Sequence, residues 1–158
     1  MRKIKKRKII YNKDQKYNSR LISYFINNIM TQGKKNTACK IIYKSLNLIK
    51  KYFKDKKIPE LNVVKVAIKN SSPELEIKTR KIGGATYNIP IRINKKRKKY
   101  LAIKWLIINA RNRSENTMYE KLANEIVNAY NGIGNTIKKK NQIHNIAKSN
   151  KAFSHFKF

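Results

Sequence analysis

The stretch LEIKTRKIGGATYNIPIRI, residues 75–93, changes the period of the chain and decides the fold. In its first half Leu75, Ile77 and Thr79 alternate with Glu76, Lys78 and Arg80. In its second half Tyr87, Ile89, Ile91 and Ile93 alternate with Asn88, Pro90 and Arg92. Two period-2 runs around Gly83-Gly84 predict a β-hairpin over about 74–93, because glycine accepts the positive φ of a two-residue turn. No other segment shows this alternation, and a lone pair of strands is marginal in water. The base of this ribbon must therefore pack on helices while its tip, with Arg80, Lys81 and Tyr87, reaches outward. Pro90 suits a ribbon in which both strands are edges.

On either side the apolar spacing is helical. Leu21, Ile22, Phe25, Ile26, Ile29 and Met30 form one face of a helix over 19–32, with Asn18 or Ser19 to cap it and Gly33 to stop it. Ala38, Ile41, Ile42, Ser45, Leu46, Ile49, Tyr52 and Phe53 form the face of a second helix over 36–54. A third starts at Pro59, a favoured first-turn residue, runs through Val63, Val64, Ala67 and Ile68, and ends at Ser71-Ser72-Pro73. After the hairpin, residues 95–112 begin basic and turn apolar. Thr117 and Glu120 match a capping box that opens a fifth helix, with Met118, Leu122, Ala123, Ile126, Val127 and Tyr130 inward. Gly132 and Gly134 precede a sixth helix, about 136–148, with Ile137, Ile143, Ile146 and Ala147 on its apolar side. The predicted fold is mainly α: a six-helix domain over 18–150 with an inserted two-stranded β-ribbon, a basic extended N-terminal arm over 1–17, and a short C-terminal tail over 151–158.

Charge narrows the function. The 158 residues carry 39 Lys+Arg against 8 Asp+Glu, a net charge of +31, about one uncompensated positive charge per five residues. A compact body with that charge repels itself, so its working state calls for an anionic partner. At 41% apolar residues the chain can still build a core. The long uncharged stretch 21–33 is too short, and with Asn27 and Asn28 too polar, to span a bilayer. The start MRKIKKRKIIYNKD lacks the apolar run of a secretory signal. A single cysteine, Cys39, makes no internal disulfide and fits a reducing compartment; it is expected in the core of the second helix. Lys outnumbers Arg 31 to 8, and Asn and Ile abound, the residues that A- and T-rich codons encode. That bias points to an A+T-rich genome, of an organelle or of a bacterium.

Catalytic constellations are scarce. The eight carboxylates are Asp14, Asp55, Glu60, Glu74, Glu76, Glu115, Glu120 and Glu125. Glu74 and Glu76 share one side of a strand, but on a Lys-rich ribbon they read as solvated salt-bridge partners rather than as an acid/base pair. His144 and His155 stand eleven apart with no carboxylate after Glu125, and Gly83-Gly84 lies in no nucleotide-binding motif. Neither an enzyme nor a metal or cofactor is predicted.

The basic clusters carry the reading. Lys34 and Lys35 sit at a helix–helix turn, and Arg80 and Lys81 at the hairpin tip. Residues 95–99 (KKRKK) stand at a helix start, where the dipole disfavours cations and a bound phosphate would compensate. Arg97, Lys104 and Arg111, seven apart, fall near one stripe of that helix. Lys138, Lys139 and Lys140 open the last helix. Each cluster alone is an ordinary solvated face; all together, with so few acids, they predict a polyanion binder. Cations on many elements suit a folded RNA better than one groove of DNA. Tyr87, Phe153, Phe156 and Phe158 are candidates for stacking on unpaired bases or, equally, for core packing. A chromatin-like DNA protein would need groove-inserting residues on an arm, for which the GGATY ribbon is the sole candidate. A membrane-surface protein would need a free apolar helix face, whereas the six stripes here match as a common core.

The segment RKIGGATYNIPIRINKKRKKYLAIKWLIINARNR, residues 80–113, resembles the seventh protein of the small ribosomal subunit in its bacterial and organellar form. That family shows a basic pair, GG, TY and P on the ribbon, then a basic helix with a Lys/Arg-Trp pair and a closing A-R-x-R. Here these are Arg80, Lys81, Gly83, Gly84, Thr86, Tyr87, Pro90, Lys104, Trp105, Ala110, Arg111 and Arg113. Met30, Gly33, Lys34 and Lys35 resemble its M-x-x-G-K-K turn, and residues 122–125 its L-A-N-E helix. Lys138, Lys139, His144, Ala147 and NKAFSHF (150–156) resemble its C-terminal region. The resemblance implies a structural protein of the ribosome with no catalysis. It implies binding to the 3′ major domain of small-subunit rRNA, a part in assembling the subunit head, a place near the E-site tRNA and the mRNA exit path, and neighbouring head and platform proteins. Carried over, Arg2, Lys3, Lys5, Lys6, Arg7, Lys8, Lys34, Lys35, Arg97, Lys98, Lys104, Arg111 and Arg113 would grip rRNA phosphates. Arg80, Lys81, Gly83, Gly84 and Tyr87 on the ribbon, with Lys138, Lys139 and Lys140, would face tRNA, mRNA or rRNA near the E site. Lys98, Lys104 and Lys140 stand where relatives more often have Arg, which keeps the charge but loses the planar fork. With the composition, the resemblance implies the ribosome of an organelle (a plastid, relict plastids included, or a mitochondrion), with an A+T-rich bacterium as the alternative.

Overall fold

The computed structural model describes residues 12–55 and 57–156. Its elements, in order, are α1 (Arg20–Ile29), α2 (Lys35–Tyr52), α3 (Glu60–Ser71), β1 (Leu75–Ile82), β2 (Ala85–Arg92), α4 (Lys95–Arg111), α5 (Met118–Tyr130), α6 (Asn135–Ser149) and a 3-10 helix (Lys151–Phe156). The mainly α fold with an inserted ribbon is as the periodicity predicts. The basic residues at positions 2, 3, 5, 6, 7 and 8 of the arm, and Phe158, lie outside the described residues.

Helix α5 packs against α2, α3, α4 and α6, and α4 against α1, α3, α5 and α6. That placement explains the composition of α4. Between 101 and 107 only Lys104 is exposed; Leu101, Ala102, Ile103, Trp105, Leu106 and Ile107 are buried, because neighbours cover most of the helix circumference. Each fully buried aliphatic side chain contributes roughly 1.5–3 kcal/mol. Ile22, Leu46, Ile49, Ile103, Leu106 and Leu122 are of this kind.

Three sequence expectations need correction. Tyr52 is 59% exposed and Ile146 is 44% exposed. Phe53, at the end of α2, takes the inward place and packs edge-on against Tyr130 with ring centroids 5.1 Å apart. Tyr52 points to the rim, its hydroxyl 3.4 Å from Asn124 Oδ1. Cys39 is half-buried at the edge of the core rather than inside it.

The chain is pinned ahead of α1. Asp14 is buried and accepts from the Tyr17 backbone N–H (3.0 Å) and the Tyr43 hydroxyl (2.7 Å). The Asp14 carboxylate holds the Tyr43 phenol proton and pushes its pKa up to about 12. Before α5, the Glu120 carboxylate accepts from the Thr117 N–H at 3.3 Å, the return half of the predicted capping box.

The ribbon pairs antiparallel from Leu75↔Arg92 to Ile82↔Ala85. Gly83 and Gly84 have φ of +56° and +85°, the conformation of the two-residue turn that the sequence predicts. Its base lies against α6, where Ile89 and Pro90 are buried, and residues 78–81 and 83–86 stand exposed.

Candidate nucleic-acid interface

Helix α4 organises the cations. Arg97, Lys104 and Arg111 are all exposed, so the seven-residue spacing does place one charged stripe on the solvent side of a helix whose middle, residues 101–107, is otherwise buried. At 1.5 Å per residue the stripe is roughly 20 Å long. Tyr100 lies between its first two members. The Arg97 guanidinium is 5.5 Å and the Lys104 Nζ 5.8 Å from its ring centroid. The spacing signal for Tyr100 was present, three after Arg97 and four before Lys104, and the sequence reading passed over it. At the far end, Arg111 Nη2 donates to the Ile29 carbonyl (3.2 Å), which ties the stripe to the end of α1. The turn that follows α1 carries exposed Lys34 and Lys35. Arg111 and that turn therefore share one end of the bundle.

The other end of the stripe meets the ribbon. Asn94 caps α4, its side chain accepting from the Arg97 N–H at 2.9 Å. The first turn of α4 holds no acid. Arg97 reaches back to Glu76 on β1, Nη2–Oε1 2.8 Å and Nε–Oε2 3.3 Å, and this guanidinium holds the Glu76 carboxyl below its ordinary range. Lys95, Lys96 and Lys99 are exposed around it, and Lys98 is half-buried.

Helix α6 is placed by a buried polar network that sequence reading did not detect. Glu125 is fully buried. Its Oε1 accepts from the Thr136 N–H (3.1 Å) and hydroxyl (2.6 Å), and its Oε2 from Arg113 Nη1 (3.1 Å). Asn109 Nδ2 donates to the Thr136 hydroxyl (3.1 Å). The carboxylate thus answers the first-turn amide of α6 from inside the protein. Lys138, Lys139 and Lys140 follow in the second turn. Lys138 is exposed, Lys139 Nζ lies 5.8 Å from the Trp105 ring centroid, and Lys140 Nζ donates to the Asn70 carbonyl at 2.6 Å. Arg113 is only 22% exposed. Besides Glu125 it grips Glu115 at 2.7 Å, and together with Asn124 holds that carboxyl down to about 2. Two of the predicted cations, Arg113 and Lys140, are therefore engaged inside the protein. On α4, Arg97, Lys104 and Arg111 are exposed, Arg97 paired with Glu76 and Arg111 with the Ile29 carbonyl, while Lys98 is half-buried, and Lys34 and Lys35 of the α1–α2 turn are exposed.

The ribbon tip meets the C-terminal segment. Tyr87 packs on Phe153 and Phe156, with centroids 5.0 and 5.6 Å apart, and Arg80 Nη1 donates to the Phe156 carbonyl at 3.2 Å. Lower down, His144 Nε2 accepts from the Glu74 N–H at 3.1 Å and fastens α6 to the root of β1. Among the described residues no group of three or more His, Cys, Asp or Glu side chains is disposed to hold a metal, and no helix is long and apolar enough to cross a membrane.

The family model described as ribosomal protein S7p/S5e matches residues 1–151. A small ribosomal subunit protein uS7 from Roseiflexus sp. (strain RS-1) is 43% identical over 143 residues, covering 90% of this chain and 89% of the relative. The protein of that name from Natranaerobius thermophilus is 43% identical over 147 residues, 93% and 92% of the two chains. That from Anaeromyxobacter sp. (strain Fw109-5) is 41% identical over 157 residues, 99% and 97% of the two. A match that runs through the ribbon, the basic helix and the C-terminal region alike shows that the chain belongs to the ribosomal protein S7p/S5e family.

Proposed function

We propose that the protein is a structural constituent of the small ribosomal subunit, without catalysis, that binds the 3′ major domain of small-subunit rRNA and nucleates assembly of the subunit head. The observation that carries this reading is the exposed stripe Arg97, Lys104 and Arg111. It runs the length of α4, from the ribbon root to the Lys34-Lys35 turn, on a chain of net charge +31. Cations fixed along a rigid helix can follow a phosphate backbone, and phosphate contacts set register and orientation on a nucleic acid. To the same rRNA we assign the basic arm, with Arg2, Lys3, Lys5, Lys6, Arg7 and Lys8, on its charge alone. To E-site tRNA and the mRNA exit path are assigned the exposed ribbon tip with Arg80 and Lys81, the half-buried Tyr87 and, separately, Lys138 on α6. Head and platform proteins are its protein neighbours. The A+T-biased composition supports an organellar ribosome, and the bacterial relatives fit equally a ribosome of an A+T-rich bacterium.

Filter binding tests the reading. The full chain is titrated against a 3′ major-domain transcript and a 5′-domain control of equal length, over a range of salt. A preference for the 3′ domain that persists as salt rises is expected. Equal affinities that collapse together with salt would show that phosphate charge alone is read and would refute it. Retained affinity after joint substitution of Arg80, Lys81 and Arg97 would refute the residue assignment.

A further inference from the structure

Where the ribbon runs into α4, a cavity of about 290 Å³ opens between the strands and the start of the helix. Three cations line it, Lys78, Arg92 and Arg97, together with Asn94 and one carboxylate, Glu76. Neither Lys78 nor Arg92 was singled out by the sequence, because they come from opposite strands and meet Arg97 only through the pairing of β1 with β2. Lys78 shares the Glu76 face, whereas Arg92, paired with Leu75, is carried on the other face, so two positive charges stand against one negative.

The geometry of that one negative charge is informative. Glu76 sits side-on in the guanidinium fork of Arg97, one oxygen on Nη2 at 2.8 Å and the other on Nε at 3.3 Å. The two non-bridging oxygens of a phosphodiester make the same pair of parallel bonds with a guanidinium. The carboxylate thus keeps Arg97 in the conformation that a phosphate requires. Its hold is light, because the two side chains are 47% and 28% exposed. An exposed pair of this kind changes an equilibrium by about two- to fivefold at most. A phosphodiester in the cavity would instead meet Arg97 together with Lys78, which the register places on the Glu76 face of the ribbon.

We propose that this cavity is a binding site for one RNA phosphodiester and that Glu76 is its built-in stand-in, released when the phosphate takes the fork of Arg97. The inference rests on the RNA-binding reading above and adds to it a specific site and a competing group. Glu76 then sets a threshold: an RNA that cannot bring a phosphate to the ribbon root leaves the pair closed, and one that can opens it.

Filter binding of the full chain to the 3′ major-domain transcript, at one fixed salt concentration, tests this with four variants. Glu76→Gln removes the stand-in. Glu74→Gln removes the same charge next to the same strand but outside the cavity. Arg97→Gln removes the fork, and the fourth variant combines Glu76→Gln with Arg97→Gln. Glu76→Gln is expected to tighten binding by about two- to fivefold, more than Glu74→Gln does, and the gain is expected to vanish in the Arg97→Gln background. An equal gain from both Glu variants, or a gain that survives without Arg97, would show that only net charge matters and overturn the proposal. Weaker binding by Glu76→Gln would overturn it too, by showing that the pair merely braces the ribbon. A second probe needs no rRNA: inorganic phosphate titrated against the full chain, with the Arg97 Nε–H resonance followed by NMR. Saturation at lower phosphate in Glu76→Gln than in the parent supports the site, and an unmoved resonance in both overturns it. Failure of the rRNA reading would appear separately, as equal affinity of the parent chain for the two domain transcripts.

Discussion

Replacing the fully buried Glu125 by Gln should cost about 2 kcal/mol of folding stability. The carboxylate accepts three hydrogen bonds, two from Thr136 and one from Arg113 Nη1. In Glu125→Gln one amide oxygen can still serve Thr136, but an NH2 then faces the guanidinium and the charge-assisted bond is lost. Hydrogen bonds to charged groups contribute about 1.5–3 kcal/mol. Arg113 keeps Glu115 and is partly exposed, so a value in the middle of that range is expected. Glu125→Ala removes all three acceptances and leaves the fully buried Thr136 N–H without its partner. Breaking a buried pair in this way costs about 3–5 kcal/mol. In a domain of this size 1 kcal/mol moves the melting midpoint by about 2–4 °C. The Gln variant should therefore melt roughly 4–8 °C below the parent, read by far-UV circular dichroism without RNA. The difference should persist at high salt, because buried pairs are screened little. A midpoint within about 1 °C of the parent would refute the claim that Glu125 holds α6 in place.

Two further outcomes follow from the same region. Gly134 has φ +98° and ψ 173°, which only glycine adopts readily, and a Cβ there would lie 3.1 Å from Asn128 Cβ and 3.5 Å from Glu125 Oε1. Gly134→Ala should cost about 1–3 kcal/mol in urea unfolding, and an unchanged midpoint would contradict the strain argument. His144 must be neutral at Nε2 to accept from the Glu74 N–H, and burial, then the charge of Lys140, push its pKa down, with Lys148 and Lys98 adding to the effect and Glu74 opposing it. Because the folded value lies below the unfolded one, the unfolded chain binds the extra proton first. The contribution is then full above about pH 6.5 and is lost as pH falls through the lower folded value. His144→Gln should flatten that part of the urea-midpoint profile; an unaltered slope would assign the acid sensitivity elsewhere.

The local code of this chain is unusually explicit. Ile22, Phe25, Ile26 and Ile29 announce α1 by spacing alone, and the reversal of period at Leu75 with Gly83-Gly84 announces the ribbon and its turn. These features depend on neighbours in sequence, so side-chain periodicity and φ preference suffice to read them. The exposed stripe of α4 was legible for the same reason. Residues seven apart share a helix face whatever surrounds it.

What neighbours in sequence do not encode is how each charge is spent. Arg113 and Lys104 look equivalent in the sequence, yet Arg113 is committed to Glu115 and Glu125 while Lys104 faces solvent. Lys140 continues a basic run but donates to Asn70, seventy residues earlier in the chain. The C-terminal segment folds as a 3-10 helix along β2, where Tyr87 offers it a ring surface. Amino-acid order by itself determined the six helices, the ribbon and the polycationic character, because those follow from short-range periodicity and composition. Tertiary structure alone decided which cations remain available, which carboxylates hold the frame and where the ribbon root becomes a cavity, because those depend on the partners that folding brings together, from Arg113 and Glu125 twelve residues apart to Arg111 and Ile29 eighty-two apart.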